Sequence, residues 1–326
     1  MKKFLALALA LALVMVFALA ACGSGTTLTF GTGGDTGTYY AYGGTLAGYV
    51  TENTDTTVTA VSSNGSQTNI EDIASGAIQL GFVQSDVMSY AYSGTRLFLD
   101  TEGNPAPVNS FSTVAALYME QVQIVTLNPD IKTVADLEGK NVSIGASGSG
   151  VYFNALDVLG AYGLTEDDIN PLYQDFATSV DSLKDGKIDA AFIVAGAPTT
   201  AVTDLASGND VYLVSLDQEH IDALIESSPY YSSYTISKDV YGTPEDCTTV
   251  AIAAVVVAGN DVSEDAVYDF VSTIFENKGN LGHAKEAELD LDFATSITDV
   301  PYHPGAAKYF AEKGIDVPVV EAAAAA

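Results

Sequence analysis

The stretch TFGTGGDTGTYY, residues 29–40, decides how the rest of the chain is interpreted. An apolar run ends at its glycines, and a segment with helical spacing, residues 40–50, follows them. A strand, a glycine turn and a helix start in this order bring several backbone N–H groups to one point, where the helix dipole adds partial positive charge. Because glycine has no Cβ, a ligand can touch the backbone directly. The stretch predicts a site for an anion or polar ligand, although an isolated turn of this kind also fits a purely structural role.

A second copy of this arrangement lies in the middle of the chain. The short strand 141–144 leads into GASGSGVY, residues 145–152, and helical spacing then continues to residue 163. Two such loops are more informative than one, because two halves that face each other would point both helix starts into one cleft.

Strands and helices alternate along the chain, which predicts a mainly parallel sheet. Ligands bind beyond the carboxyl ends of strands in such sheets, so loops 31–40, 64–67 and 84–86 are expected to converge on one site. Two long apolar runs, residues 114–125 and 248–258, are predicted to be strands that cross between two lobes. A connecting helix is predicted over residues 131–137.

The N-terminus has the pattern of a secretory signal, predicted over residues 1–21. Two lysines precede an apolar run from residue 4 to residue 18, and small residues follow. The sequence LAAC, ending at Cys22, resembles a bacterial lipobox, so Cys22 is the expected lipidation site and residues 22–27 a lipid-anchored linker. An ordinary signal peptide with a coincidental cysteine is the alternative. A lipid would tether the chain to a membrane without spanning it.

Composition excludes several classes of partner. A net charge of −30 argues against nucleic acid and against docking on anionic lipid beyond the anchor itself. Cys247 is the one other cysteine, so an acylated Cys22 leaves no internal disulfide, and Cys247 is expected to be a buried small hydrophobe. The three histidines are scattered and lack ligand spacing, so neither a metal nor a cofactor is predicted.

Eight short motifs occur in an order that resembles the TAXI family of TRAP-transporter solute-binding proteins. The resemblance covers nearly all of residues 28–315. It implies an α/β fold of the type II periplasmic-binding-protein class, with two α/β lobes joined by hinge strands. The motifs occupy residues 31–40, 64–69, 84–86, 117–120, 136–140, 145–150, 185–192 and 300–308.

The expected organisation places residues 28–114 in lobe 1 and residues 115–255 in lobe 2. Residues 256–326 return to lobe 1, with a frayed tail at 322–326. We expect a monomeric, extracytoplasmic protein that the lipobox cysteine anchors to the bacterial cell membrane. The resemblance implies that it delivers a small carboxylate, either a glutamate-like amino acid or a dicarboxylate, to a TRAP membrane permease. A substrate-binding lipoprotein of an ABC importer is the alternative.

The ligand carboxylate is expected to meet backbone N–H groups and hydroxyls, since the mature chain has a single arginine, Arg96. Arg96 is either a ligand clamp or, with better support, a surface residue. Glu120 is either an acceptor for a ligand ammonium or a structural hinge carboxylate. The predicted ligand-binding residues are Gly33, Gly34, Thr38, Tyr39, Ser66, Gln84, Tyr118, Glu120, Ser147, Gly148, Ser149, Val151 and Pro198.

Other classes of protein fit the motifs poorly. The first loop lacks the third glycine of a dinucleotide fingerprint, and neither loop has the Gly-Lys-Ser/Thr of a phosphate loop. The second loop places Ser149 where the last glycine of a nucleophile elbow belongs. An enzyme is therefore not expected. An adhesive or structural lipoprotein would need no converging polar loops.

Overall fold

The computed structural model describes residues 25–320. The predicted signal peptide, the Cys22 lipidation site and the tail at 322–326 lie outside the described residues. Across residues 25–320, none of the helices combines the length and the apolar character that a bilayer crossing requires.

The strands of the described chain form one mixed sheet in the order β2-β1-β3-β10-β4-β7-β5-β6, with β8 beside β4 and β9 beside β10. At one end β1 lies parallel to β2 and β3, and at the other β5 lies parallel to β6 and β7. The strands are β1 (Thr27–Gly31), β2 (Thr57–Val61), β3 (Leu80–Gln84), β4 (Phe111–Thr126), β5 (Asn141–Ser143), β6 (Asn170–Leu172), β7 (Ala190–Ala195), β8 (Tyr212–Leu213), β9 (Ser232–Ile236) and β10 (Cys247–Gly259).

The two long strands β4 and β10 join the parallel ends of the sheet. They pair with each other in antiparallel fashion, and the register shifts at Ala254/Val255 and again at Val256/Val257. Such irregularities bend a strand and increase its twist locally. Both strands are buried along almost their whole length, which explains why the sequence shows continuous apolar runs there. The predicted crossing strands are therefore present, and each extends beyond its predicted ends.

The hydrophobic core consists of separate clusters, and the boundary between two of them falls within these two strands. One core cluster uses β4 up to Tyr118 and β10 from Ala253, whereas another uses β4 from Val122 and β10 up to Ile252. We call residues 25–118 with 253–320 the first half, and residues 122–252 the second half. The predicted lobe boundaries at 114/115 and 255/256 lie a few residues from these changes and stay predictions as domain limits.

Helices pack on the sheet between successive strands. The connecting helix predicted over 131–137 is present only as a 3-10 helix at Val134–Leu137, because the Thr133 cap starts it later and Glu138 already leaves helical geometry. The α-helices are α1 (Thr38–Asn53), α2 (Ser66–Ser75), α3 (Ser85–Ser93), α4 (Val151–Ala161), α5 (Phe176–Lys184), α6 (Thr200–Ala206), α7 (Gln218–Ser227), α8 (Glu264–Glu276), α9 (Leu291–Ala294) and α10 (Pro304–Glu312).

Candidate ligand-binding site

A cavity of about 60 Å³ lies between the two halves, at the carboxyl ends of strands and the starts of helices. The three loops that were expected to converge all reach it, and the loop after β5 closes the opposite side. Its volume suits a small solute. The lining residues are Gly33, Gly34, Gly37, Thr38, Tyr39, Ser63, Asn64, Gly65, Ser66, Gln84, Glu120, Ala146, Ser149, Gly150, Val151, Asp175, Phe176, Val194 and Ala195.

Helix α1 begins at this cavity without a side-chain cap. Gly37 is its N-cap residue and offers no side-chain hydrogen bond. The first intrahelical bond runs from the Ala41 N–H to the Gly37 carbonyl, so the N–H groups of the first turn have no acceptor within the helix. Together with the dipole, these groups favour a negatively charged ligand group at the cavity.

Tyr39 and Glu120 form the floor of the cavity. The Tyr39 ring stacks on Phe82 with centroids 4.6 Å apart, and its hydroxyl donates to Glu120 Oε2 at 2.7 Å. Burial raises the pKa of Glu120 to about 8, opposed by the Tyr39 hydrogen bond and by Lys285, and reinforced by Asp86. Glu120 is therefore largely protonated near neutral pH unless a cationic group approaches it.

The second glycine loop packs tightly at the start of α4. Gly145 and Gly148 adopt φ angles of +92° and +85°, which favour glycine. A Cβ on Gly145 would lie 2.6 Å from the Cβ of Val151. The Ser149 hydroxyl is buried, and no protein group within residues 25–320 pairs with it. The loop therefore presents an unpaired hydroxyl beside a helix start.

Gln84, at the end of β3, crosses from the first half to the second. Its Nε2 donates to Asn154 Oδ1 at 2.9 Å, and its backbone N–H donates to Ser66 Oγ at 3.1 Å. Its Oε1 has no partner among the described residues and lies against Gly150, where a Cβ would approach it to 1.6 Å. Glycine at position 150 is therefore required for this placement.

Hydrogen bonds around the cavity hold the two halves against each other. Some come from the first glycine loop and others from the second, so the site is closed from both sides. The bonds run from Thr38 Oγ1 to the Gly196 carbonyl at 2.8 Å, from the Ala201 N–H to the Thr36 carbonyl at 3.1 Å, and from the Thr68 N–H to the Gly148 carbonyl at 3.0 Å.

The ionisable side chains of the lining that can carry a full charge near neutral pH are both acidic, Glu120 and Asp175. Asp175 also caps α5, where its Oδ1 accepts from the Thr178 N–H at 2.7 Å. Lys285 lies behind Tyr118, with its Nζ 5.3 Å from the centre of that ring. A ligand carboxylate would therefore meet helix starts and hydroxyls, whereas a ligand cation would meet a carboxyl group.

Arg96 does not act as a clamp in this cavity. Its guanidinium pairs with Asp157 Oδ1 at 2.6 Å across the two halves and lies over the rings of Tyr90 and Phe153. Its pKa is raised, chiefly by Asp157, against the lowering effect of burial. Cys247 is buried, as expected.

Nine of the predicted residues line the cavity, and four do not. Tyr118 is buried behind the floor, where its ring meets those of Tyr42 and Phe82. Ser147 and Pro198 are exposed. The Gly148 carbonyl accepts a hydrogen bond from the Thr68 N–H. The lining residues are Gly33, Gly34, Thr38, Tyr39, Ser66, Gln84, Glu120, Ser149 and Val151; their contact with a ligand stays a prediction.

Sequence reasoning missed the wall formed by Asp175, Phe176, Val194 and Ala195. These residues follow or end β6 and β7, so the rule that ligands bind beyond strand carboxyl ends would have included them. Within the described chain, no group of three or more His, Cys, Asp or Glu side chains is arranged to hold a metal ion.

Comparisons with known proteins agree with this architecture. The family model described as the NMT1-like family matches residues 30–314. The structure resembles the alkanesulfonate-binding protein SsuA from Xanthomonas axonopodis pv. citri bound to MOPS, at 16% identity and a TM-score of 0.53, covering 89% of this chain and 85% of that one. It also resembles the ligand-binding component of an ABC-type import system from Staphylococcus aureus with zinc bound, at 11% identity and a TM-score of 0.50, covering 90% and 94%. The predicted type II periplasmic-binding-protein fold is confirmed, and the predicted TAXI membership stays a prediction.

Proposed function

The chain belongs to the NMT1-like family, and we propose that it is an extracytoplasmic solute-binding protein and not an enzyme. It captures a small ligand between its two halves and delivers it to a membrane transporter. The observation that carries the proposal is the cavity lined by both halves and closed by hydrogen bonds between them. A ligand that contacts both halves stabilises the closed form over the open form, and a transporter can recognise that closure.

The ligand we propose is a small amino acid. Its carboxylate would lie at the starts of α1 and α4, where backbone N–H groups and the Ser149 hydroxyl are available. Its ammonium would lie at Glu120. A dicarboxylate is less well supported, because its second carboxylate would approach the carboxyl groups of Glu120, which is buried, and Asp175, which is exposed, without a cationic lining side chain to balance it.

An ABC importer is the better supported transporter. The Staphylococcus aureus protein that shares the fold is described as part of an ABC-type import system, whereas delivery to a TRAP permease rests on the motif resemblance. The genes beside this one decide between them: an ATPase gene supports the ABC importer, and a large multi-span permease gene without an ATPase supports TRAP.

We also propose attachment to the membrane through a lipid on Cys22, supported by the LAAC sequence before residue 23. Expression in a bacterial host should place the full chain in the membrane fraction with a lipid-modified N-terminus. A Cys22→Ser variant should be recovered in soluble form. Recovery of both proteins in the soluble fraction would contradict the anchor.

A thermal-shift screen of the full-length Cys22→Ser chain tests the binding function. The panel consists of amino acids, monocarboxylates and dicarboxylates, with calorimetry on the positive cases. A ligand that binds only the folded state raises the melting temperature by mass action. Glu120→Ala should abolish the response, and Glu138→Ala, which changes an exposed glutamate, should retain it. No response across the panel, with mass spectrometry showing no co-purified ligand, would contradict the proposal.

A further inference from the structure

We propose that a chain of hydrogen bonds running from Asp157 to Gln84 fixes one wall of the cavity as a hydrogen-bond acceptor, so that the ligand must present a donor there. The inference rests on the proposed function, because it concerns the ligand of the same cavity. It specifies which chemical group of that ligand meets Gln84.

The chain is anchored by the ion pair between Arg96 and Asp157. An arginine side chain remains protonated and can only donate, so Asp157 Oδ1 is an acceptor in this pair. Its Oδ2 accepts from the Tyr231 hydroxyl at 3.0 Å. Burial raises the pKa of Tyr231 well above its ordinary value, with Asp157 acting in the same direction. The single phenolic proton of Tyr231 is therefore committed to Asp157.

Asn154 receives its orientation from this anchor. Because Tyr231 has no proton left, its oxygen can only accept, and Asn154 Nδ2 donates to it at 2.9 Å. The same nitrogen donates to Asp86 Oδ2, also at 2.9 Å. Two acceptors on one side place the amide nitrogen there, and the Asn154 carbonyl oxygen must point the other way, toward Gln84.

Gln84 passes the orientation on to the cavity. Its Nε2 donates to Asn154 Oδ1 at 2.9 Å, which leaves its Oε1 against Gly150 at the cavity wall. The side chains of Gln84 and Asn154 are 2% and 0% exposed, so water does not compensate a reversed amide. Reversal would place the Asn154 carbonyl against the Asp86 carboxyl and the Tyr231 oxygen, leaving buried acceptors facing each other.

The orientation does not depend on the ionisation of Asp86. Burial raises the pKa of Asp86 to about 7, with Asp157 adding to the rise, while the Val87 N–H, Asn154 and Arg96 lower it. The other titratable groups near it are Glu120 and the tyrosines Tyr90, Tyr230 and Tyr231, and burial raises the pKa of each of them. If Asp86 takes up a proton, the hydrogen bonds from Asn154 to Tyr231 and from Tyr231 to Asp157 still fix the orientation of Asn154.

The consequence is selectivity between groups of similar size. An ammonium, hydroxyl or amide N–H can donate to Gln84 Oε1, whereas a keto oxygen or a carboxylate oxygen would leave two acceptors facing each other. Polar sites discriminate strongly on this basis, because an unpaired buried group costs more than a missing methyl group. The wall therefore favours an amino acid over the 2-oxo acid with the same carbon skeleton.

Calorimetry with matched pairs tests the inference on the full-length Cys22→Ser chain. The pairs are L-glutamate with 2-oxoglutarate, L-leucine with 4-methyl-2-oxopentanoate, and L-alanine with pyruvate. In the pair that binds, the amino acid should bind at least tenfold more tightly. Equal or tighter binding of the 2-oxo acid would overturn the inference and leave the proposed function intact. No binding by any pair would contradict the proposed ligand class, and the inference with it.

Variants separate the orientation of Gln84 from its bulk. Gln84→Leu keeps most of the bulk but removes the acceptor oxygen, so the preference for the amino acid should be lost. Asn154→Leu removes the residue that orients Gln84, so the ratio of amino acid to 2-oxo acid affinity should fall toward one. A lowered melting temperature with an unchanged ratio would reduce Asn154 to a structural role and overturn the inference. Gly160→Ala, at an exposed position of α4 with no atom near its Cβ, is the matched control.

Discussion

The two glycine loops have similar sequences, but they differ in how much space surrounds their glycines. In the first loop, a Cβ on Gly34 would meet no atom within 4 Å, and one on Gly33 would make ordinary contacts with Tyr39. In the second loop, added Cβ atoms would approach Val151, Thr68 and Gln84 to between 1.6 and 2.6 Å. Gly33 and Gly34 therefore mainly expose a helix start, whereas Gly148 and Gly150 fit against the opposite half and Gly145 fits against Val151 of its own half.

This difference shows that a repeated motif need not have a repeated role. Thr68 and Gln84 both belong to the first half, and they are the residues against which Gly148 and Gly150 pack. The second loop thus depends on a partner surface that lies far away in sequence. The first loop also reaches the opposite half, but through the hydrogen bonds of Thr36 and Thr38 and not through close packing of Gly33 or Gly34.

The largest expected effect comes from Gly145→Ala. The substitution forces a non-glycine residue to a φ of +92° and places its Cβ 2.6 Å from that of Val151. Left-handed strain and overpacking together should lower the free energy of unfolding by about 3 kcal/mol. Gly34→Ala should change it by less than about 0.5 kcal/mol. Denaturant unfolding of both variants makes the comparison, and equal losses would mean that the two loops are not different in the way described.

The next effect concerns Glu120, which lies where the loops face each other. Its folded-state pKa of about 8 lies above its ordinary value of 4.5, so the folded protein holds a proton that the unfolded chain has lost. The free energy of unfolding is therefore reduced as pH rises from about 4.5 through about 8.

Glu120→Gln should remove this contribution. Between pH 5 and pH 8, the free energy of unfolding of the variant should rise relative to that of the parent protein by up to about 1.4 kcal/mol per pH unit. Asp86 titrates in both proteins, so it does not account for the difference. Thermal unfolding at several pH values measures the gap. A constant gap would show that Glu120 is ionised throughout. The same variant should lose affinity for amino acids.

The smallest effect should come from Thr38→Val in the first loop. The hydroxyl of Thr38 donates to the Gly196 carbonyl across the cavity, and that carbonyl keeps a second donor in Thr199. We expect a loss of about 1 kcal/mol, or roughly fivefold, in the affinity for a bound amino acid. Thr45→Val, whose hydroxyl bonds only within α1, should leave the affinity unchanged. If both variants weaken binding equally, the contact does not contribute to closure.

Local patterns were enough to predict the strand–glycine–helix units and the two crossing strands. An apolar run or a helix start is a property of neighbouring residues, and the structure preserves both. Tyr118 shows the limit of this reasoning. It lies on the same face of β4 as Glu120, but periodicity does not tell how far the cavity extends, and Tyr118 lies behind it.

The orientation of Gln84 could not be predicted at all. It depends on Asn154, which is seventy residues away, and on Tyr231, which is a further seventy-seven residues along. Nothing in the residues next to Gln84 indicates those partners, because Tyr231 reaches Asn154 only in the folded second half and Asn154 reaches Gln84 only when the two halves meet. Local sequence therefore located the cavity more reliably than the polarity of its wall.

The hydrogen bonds between the two halves also bear on the rate at which a ligand is released. Separation of the halves breaks the bonds from Thr38, Thr68 and Ala201. We therefore expect a ligand that contacts both halves to dissociate faster when these bonds are weakened. Tight binding alone would slow the supply of solute to a transporter, so contacts that pull these bonds apart would let the transporter determine when the ligand is released.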